Sequence, residues 1–270
     1  MSSVAEALVQ ARQRGVDRLD AQLLLARQLG RDRAWLLAHD DAPLADAVWL
    51  RFREAVARRA DGEPLAYILG EKEFHGLLLQ VDKRVLVPRP DTELLVDWAL
   101  ELLPASSAAD VVDLGTGSGA IALALKHRRP AALVTATDAD AGALAVAQIN
   151  TERLGLAITL RRGHWWGAVP EQRFALALSN PPYIAQGDAH LAALHHEPTV
   201  ALTPGPAGLE SLHEIVRDAP AHLLPGAWLL LEHGFDQAPT VQDLLRERGF
   251  AQVSTRKDLA GHDRCTGGRL

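Results

Sequence analysis

The first 72 residues carry apolar side chains at helical spacing. Leu19, Leu23 and Ala26 fall at positions i, i+4 and i+7, which would place them on one face of a helix. Gly30 follows where a helix would end, as glycine often does. Further apolar stretches with turn-forming residues between them continue the pattern. The sequence therefore predicts a small helical domain over residues 1–72.

The pattern then changes to alternation. Leu77, Leu79 and Val81 recur at period two, and two valines follow after a polar pair. Alternation of this kind is typical of a half-buried β-strand. Residues 73–87 are therefore predicted to form a β-hairpin that links the helical domain to the rest of the chain.

Residues 88–270 alternate short apolar runs with longer stretches of helical spacing. Alternating strands and helices imply an α/β fold, with a mostly parallel sheet covered by helices on both faces. Ligands of such sheets bind beyond the carboxyl ends of the strands. Strands are predicted at residues 110–114, 132–137, 157–160, 174–178, 227–231 and about 251–255.

A glycine-rich loop follows the first of these strands. Glycine lets the backbone turn sharply and lets a ligand approach without a Cβ in the way. Asp138 ends the next strand, where its carboxylate can accept hydrogen bonds from both hydroxyls of a ribose. This pair also fits a dinucleotide site, and the glycines alone would fit a tight strand-to-helix turn. The candidate cofactor residues here are Gly115, Thr116, Gly117, Ser118, Gly119 and Asp138.

A second motif, Asn180-Pro181-Pro182-Tyr183, ends the apolar run at 174–178 after one serine. Its simplest interpretation is a turn, because two prolines stop a strand. Its chemical interpretation is a site for a planar amide or amine nitrogen. The Asn180 side-chain oxygen and the Pro181 carbonyl would accept the two N–H groups, and Tyr183 would form a wall. Such positioning can lower a barrier by about 7–11 kcal/mol.

Composition and charge limit the classes of protein in which this chemistry is expected. The 270 residues are 48% hydrophobic and 23% charged, which is typical of a globular protein. The net charge of −6 does not suggest a protein that grips a nucleic-acid backbone. With one cysteine, Cys265, no internal disulfide and no cysteine cluster for a metal is possible. The absence of a long apolar run predicts a cytoplasmic protein with no membrane partner.

The motifs together resemble one known family, the protein N5-glutamine methyltransferases of the HemK/PrmC type, which modify peptide chain release factors. The resemblance covers almost the whole chain. Besides the two motifs above, it rests on Gly62-Glu63-Pro64-x-Ala66-Tyr67-Ile68-x-Gly70, Glu73-Phe74-x-Gly76-Leu77, Pro88-Arg89-Pro90-Asp91-Thr92-Glu93, Glu197-Pro198, Gly208-Leu209 and Asp258-Leu259-Ala260-Gly261-x-Asp263-Arg264.

The resemblance implies a class I methyltransferase domain over residues 88–270, with a final antiparallel hairpin. It implies that S-adenosylmethionine binds at Gly115–Gly119, Asp138, Trp165 and Asn180, and that the acceptor contacts Asn180–Tyr183. It further implies that the N-terminal helices dock a release factor, whose Gly-Gly-Gln loop presents the glutamine. A monomer without a metal is expected.

Two other acceptors fit the nitrogen motif. One is a glutamine of a ribosomal protein, and the other is an amino group of a nucleic-acid base. One departure concerns the methyl donor: relatives commonly have aspartate before the tryptophan of the third loop, where this chain has His164.

Overall fold

The computed structural model describes residues 2–270 and contains two compact units, Met1–Glu71 and Lys72–Leu270. The first unit is helical, as the spacing predicts. A capping box begins its first helix: Ser3 Oγ accepts from the Glu6 backbone N–H at 3.2 Å, and Glu6 Oε2 accepts from the Ser3 N–H at 3.0 Å. The helices are α1 (Val4–Gln13), α2 (Arg18–Leu29), α3 (Arg33–Ala38), α4 (Asp46–Ala60) and α5 (Leu65–Leu69).

Helix α2 buries a face that only partly matches the predicted one. Ala26 of the predicted face is buried, but Leu19 is 45% exposed, and Leu24 and Leu25 are buried instead. The buried pair belongs to a cluster that includes Phe52 of α4. Because α2 contains consecutive leucines, spacing alone does not select its inner face, and packing against α4 does. The predicted end of α2 is confirmed, since Gly30 adopts the left-handed conformation with φ 63°.

The hairpin lies earlier in the chain than predicted. Its strands are β1 (Glu71–Phe74) and β2 (Leu77–Gln80), and the two residues of the turn both have positive φ. Val85 and Val87 lie outside any strand. The Val87 N–H donates to the Glu197 carboxylate at 3.0 Å instead of to a neighbouring strand. The prediction of a strand over the second half of residues 73–87 is therefore wrong, and the Glu197 side chain holds Val87 there.

A seven-stranded sheet forms the centre of the second unit. Its strands are β3 (Asp110–Leu114), β4 (Leu133–Asp138), β5 (Thr159–Arg162), β6 (Phe174–Ser179), β7 (Leu223–Glu232), β8 (Ala251–Lys257) and β9 (Asp263–Arg269). Their order is β5-β4-β3-β6-β7-β9-β8. The strands from β5 to β7 are parallel, and β9 is antiparallel to both its neighbours. The predicted α/β fold is confirmed.

Helices cover both faces of this sheet. Neighbouring residues of a strand point to opposite faces, so Val111 packs in one buried cluster and Val112 in the other. The Val111 cluster includes Trp98 and Leu123, whereas the Val112 cluster includes Ile215. The helices of this unit are α6 (Glu93–Leu102), α7 (Ala120–Arg128), α8 (Ala141–Leu154), α9 (Glu210–His222) and α10 (Ala238–Glu247).

Strand β9 fits between β7 and β8 because it contains glycine where side chains would collide. A Cβ on Gly267 would lie 2.4 Å from a methyl carbon of Leu230 and 2.9 Å from the Trp98 ring. Real Cβ atoms do not approach other heavy atoms so closely. The small residues of β9 thus let the sheet pack against α6. Across residues 2–270, no helix combines the length and apolar character needed to cross a membrane.

Candidate active site

The carboxyl ends of β3, β4 and β6 meet at one edge of the sheet, and a cavity of about 390 Å³ opens there. This first cavity brings together most of the residues predicted from the two motifs. The predicted residues that line it are Gly115, Thr116, Gly117, Ser118, Asp138, Trp165, Asn180 and Pro182. Gly119 instead lies where α7 begins, in a left-handed conformation with φ 84°.

Backbone hydrogen bonds fix the glycine loop. The N–H groups of Gly115 and Thr116 both donate to the Thr137 carbonyl, at 2.9 and 2.8 Å. The Thr116 hydroxyl donates to the fully buried Asp113 carboxylate at 2.6 Å. Burial raises the pKa of Asp113 to about 7. These contacts with the strands beneath it therefore fix the conformation of the loop.

Asp138 faces the first cavity from the end of β4. Its Oδ2 accepts from the Gly117 N–H and its Oδ1 from the Asp140 N–H, each at 2.9 Å. Burial is the largest effect on this carboxyl and raises its pKa, and the two N–H donors oppose the rise. Each carboxylate oxygen has a second lone pair, so the group can still accept hydroxyl hydrogens from a ligand.

Gly115 and Trp165 are packed against each other. A Cβ on Gly115 would lie 2.9 Å from Trp165 Cζ3, so only glycine leaves room for the ring. Trp165 has φ 44°, a left-handed conformation that is uncommon for residues other than glycine. Its indole N–H is buried without a hydrogen-bond partner among residues 2–270. Strained residues of this kind cluster at functional sites.

Asn150 on α8 connects the hairpin to the glycine loop. Its Nδ2 donates to the carbonyls of Ser118 and Gln80, each at 2.9 Å. Its Oδ1 accepts from the Gln80 N–H at 2.6 Å. The side chain is fully buried, and all three partners are backbone groups. Asn150 therefore supports the loop from behind, a role that its sequence neighbours did not indicate.

The nitrogen motif lies beside the glycine loop because their strands are neighbours. The Ser179 hydroxyl donates to the Leu114 carbonyl at 2.7 Å and joins the ends of β6 and β3. Pro181 and Tyr183 line a second cavity, of about 260 Å³. Asn180 and Pro182 line both cavities. The tetrapeptide thus forms the boundary between two adjoining spaces.

Buried polar side chains contact this boundary, and one of them, Thr92, also lines the first cavity. The Asn180 side-chain nitrogen donates to Thr92 Oγ1 at 3.1 Å, and the Tyr183 hydroxyl donates to Glu232 Oε1 at 3.2 Å. Burial raises the pKa of Glu232 to about 7, while Thr92, Arg264 and Tyr183 favour its ionised form. Burial and the Glu232 charge raise the pKa of Tyr183, so its hydroxyl stays protonated.

The backbone after the motif is held by Gln237 and Gly208. Gln237 Nε2 donates to the carbonyls of Tyr183 and Gly208, at 3.0 and 3.2 Å. A Cβ on Gly208 would lie 2.6 Å from the Tyr183 carbonyl oxygen. On the other side, the buried Glu197 carboxylate accepts from Arg89 and from the Val87 N–H. These contacts fix the segments that flank the second cavity.

His164 lines the first cavity and its Nε2 lies 3.1 Å from Glu214 Oε2. Within the described chain, no cluster of three or more histidine, cysteine, aspartate or glutamate side chains could hold a metal ion.

Two domain families match the chain. Residues 3–70 match the PrmC N-terminal domain, and residues 91–201 match the methyltransferase small domain. The release factor glutamine methyltransferase of Bordetella pertussis is 50% identical over 95% of this chain and 96% of its own length. The enzyme of the same name from Xylella fastidiosa is 47% identical over 97% of this chain and 97% of its own length. That from Pseudomonas aeruginosa is 48% identical over 93% of this chain and 92% of its own length. This chain belongs to the release factor glutamine methyltransferase family.

Solved structures agree on the fold of this family member. A methyltransferase from Pyrococcus furiosus has a TM-score of 0.56 and 22% identity, covering 72% of this chain and 89% of its own. The Thermus thermophilus 16S rRNA N2 G1207 methyltransferase has a TM-score of 0.54 and 22% identity, covering 74% of this chain and 49% of its own. At such identities the likeness concerns the fold alone. The fold and the family expected from the motifs are confirmed, and the protein is a methyltransferase.

Proposed function

We propose that this methyltransferase transfers a methyl group from S-adenosylmethionine to the side-chain amide nitrogen, N5, of the glutamine in the Gly-Gly-Gln motif of peptide chain release factors. The observation that carries the proposal is the position of Asn180 and Pro182, which line two adjoining cavities. In this proposal the first cavity holds the methyl donor and the second holds the acceptor. Full-length identity to the named enzymes supports the choice of acceptor. An enzyme with this substrate would act in the cytoplasm.

The residues of the first cavity fit S-adenosylmethionine. No atom lies within 4 Å of the place where a Cβ on Gly117 would stand, so the loop is open to a ligand there, and Asp138 offers lone pairs for ribose hydroxyls. Trp165 offers an aromatic ring for the adenine, as the family resemblance implied. When bound, S-adenosylmethionine supplies an electrophilic methyl group on a sulfonium.

The residues of the second cavity fit a planar amide. An amide nitrogen is a poor nucleophile, because its lone pair is delocalised into the carbonyl. Asn180 Oδ1 and the Pro181 carbonyl would each accept one of its N–H groups and orient the lone pair. The same oxygens favour the positive charge that develops on the nitrogen during transfer. Tyr183 would pack beside the amide plane, and the methylated amide then releases a proton to water without a strong general base.

Asn150→Ala is expected to weaken donor binding about 10-fold, since the glycine loop loses its support from Asn150. Turnover at saturating donor should change less. Calorimetric titration with S-adenosylmethionine measures the effect. Gln148→Ala on the exposed side of α8 is the matched control and should bind like the wild type. Unaltered donor affinity in Asn150→Ala would contradict the supporting role.

The acceptor is tested with donor labelled in the methyl group. Label is expected in a purified release factor and absent from a variant whose Gly-Gly-Gln glutamine is alanine. A ribosomal protein with a similar glutamine, and DNA and RNA fragments, are assayed in parallel. Label that persists in the alanine variant, or that enters only nucleic acid, would overturn the proposal.

A further inference from the structure

The orientation of the Asn180 side chain depends on residues outside the motif. Its nitrogen donates to Thr92 Oγ1, so its oxygen remains available to the acceptor. The reverse orientation would present an NH₂ group to the N–H groups of a substrate amide. Donor would then face donor, and the acceptor nitrogen would lose one of its two hydrogen bonds. A neighbouring group must therefore select one of the two orientations of the Asn180 amide.

Thr92 alone does not make that selection. A threonine hydroxyl can accept or donate, so it could serve either end of an amide. Thr92 is only 4% exposed, which excludes bulk water as a regular partner. The direction in which its single hydrogen points is consequently set by its other buried neighbour.

That neighbour is Glu232. Its carboxylate accepts from the Tyr183 hydroxyl and lies close enough to the Thr92 hydroxyl for Thr92 to favour its ionised form. An ionised carboxylate only accepts hydrogen bonds, so it takes the Thr92 hydrogen and leaves a lone pair for the Asn180 nitrogen. Glu232 Oε2 is buried without a hydrogen-bond partner among residues 2–270, so it is available to accept the Thr92 hydrogen. Arg264 lies close enough to favour the negative charge.

We propose that Thr92 and Glu232 are positioning residues that hold the Asn180 amide with its oxygen toward the acceptor nitrogen. The inference rests on the proposed transfer to an amide. Glu232 also accepts from the Tyr183 hydroxyl, at the other end of the tetrapeptide. A buried charge is rarely the most stable choice for a core. Its position behind the site gives the charge a function.

Three variants test the proposal. They and the wild type are assayed above about pH 8, where Glu232 is ionised. Thr92→Val keeps the shape of the side chain and removes its hydroxyl. It should lower kcat about 10-fold, while the Kd for S-adenosylmethionine changes less than about threefold. Thr92→Ser restores the hydroxyl and should recover most of kcat. Glu232→Gln, which can donate to Thr92, should lower kcat like Thr92→Val. Thr151→Val is the matched control, because the Thr151 hydroxyl donates to the Ala147 carbonyl within α8.

A double-mutant cycle separates positioning from general packing. If Thr92 acts through Asn180, Thr92→Val should have little further effect in an Asn180→Ala background. Equal kcat losses in Thr92→Val and Thr92→Ser, or a full further loss in the double variant, would overturn the proposal. So would wild-type kcat in Thr92→Val or in Glu232→Gln.

A second readout needs no acceptor. In the ¹⁵N-labelled full chain, the Asn180 side-chain amide hydrogens should exchange with solvent at least about 10-fold faster in Thr92→Val than in the wild type. Unchanged exchange would contradict the Thr92 contact. Because this measurement is independent of methyl transfer, it distinguishes failure of the positioning role from failure of the proposed substrate.

Discussion

Asn180→Ala is expected to lower turnover at least about 100-fold while donor affinity changes far less. Asn180 borders both cavities, but its oxygen is assigned to the acceptor nitrogen, where charge develops only during transfer. Loss of that oxygen should therefore act on the transition state more than on the bound donor. Single-turnover kinetics with labelled donor measure the transfer step, and calorimetry measures donor binding.

The sequence provides its own control for this experiment. It contains two asparagines, Asn150 and Asn180, and the fold gives them different positions. Asn150 supports the glycine loop, so its replacement should weaken donor binding more than transfer. Asn180 should show the opposite pattern. Equal losses of affinity and turnover in Asn180→Ala would count against a role in the transition state.

Glu232→Gln is expected to raise the melting temperature by about 5 °C or more above pH 7, although it lowers activity. Burial raises the folded-state pKa of Glu232 to about 7, from 4.5 in the unfolded chain. Between these values the folded protein retains a proton that the unfolded chain has lost. The free energy of unfolding therefore falls as the pH rises across that window, by an amount on the order of 3 kcal/mol. Glutamine is neutral throughout and avoids the loss.

Calorimetric melting of Glu232→Gln and the wild type at pH 5 and pH 8 tests whether the wild type loses stability as the pH rises. The difference between Glu232→Gln and the wild type should be larger at pH 8. Asp113 has a similarly raised pKa, but it is present in both proteins and its contribution cancels. Glu101→Gln is the control, because Arg256 lowers the pKa of Glu101 and its replacement should bring no gain. A difference that does not vary with pH would contradict the prediction.

The elements with continuous apolar runs could be predicted from the sequence, whereas β9 could not. Val111 and Val112 belong to a buried strand whose neighbours are also apolar, and β3 was predicted with its observed bounds. Strand β9 reads Asp-Arg-Cys-Thr-Gly-Gly-Arg, which has no apolar pattern. It is buried because Gly267 fits beneath Leu230 and Trp98. Its presence followed only from the family resemblance.

Part of the candidate site could likewise be predicted from the sequence, and part could not. The glycine loop and Asn180–Tyr183 are contiguous motifs, so their residue types and spacing indicated their chemistry. Thr92, Glu232 and Asn150 act through contacts between distant parts of the chain. Thr92 lay within a family motif that gave it no role. Glu232 is the last residue of an apolar strand, and ligands of α/β sheets bind beyond such strand ends.

Strand β9 also determines when this half of the sheet can form. β7 and β8 precede β9 in the chain, yet each pairs with β9 and not with the other. During synthesis, both strands would therefore present unpaired backbone edges until residues 263–269 arrive, and such edges promote association between chains. A chain that stops before residue 263 would keep both edges open and would also lack Arg264, which lies beside Glu232. Sheet completion and the charge balance behind the nitrogen motif thus depend on the same late segment.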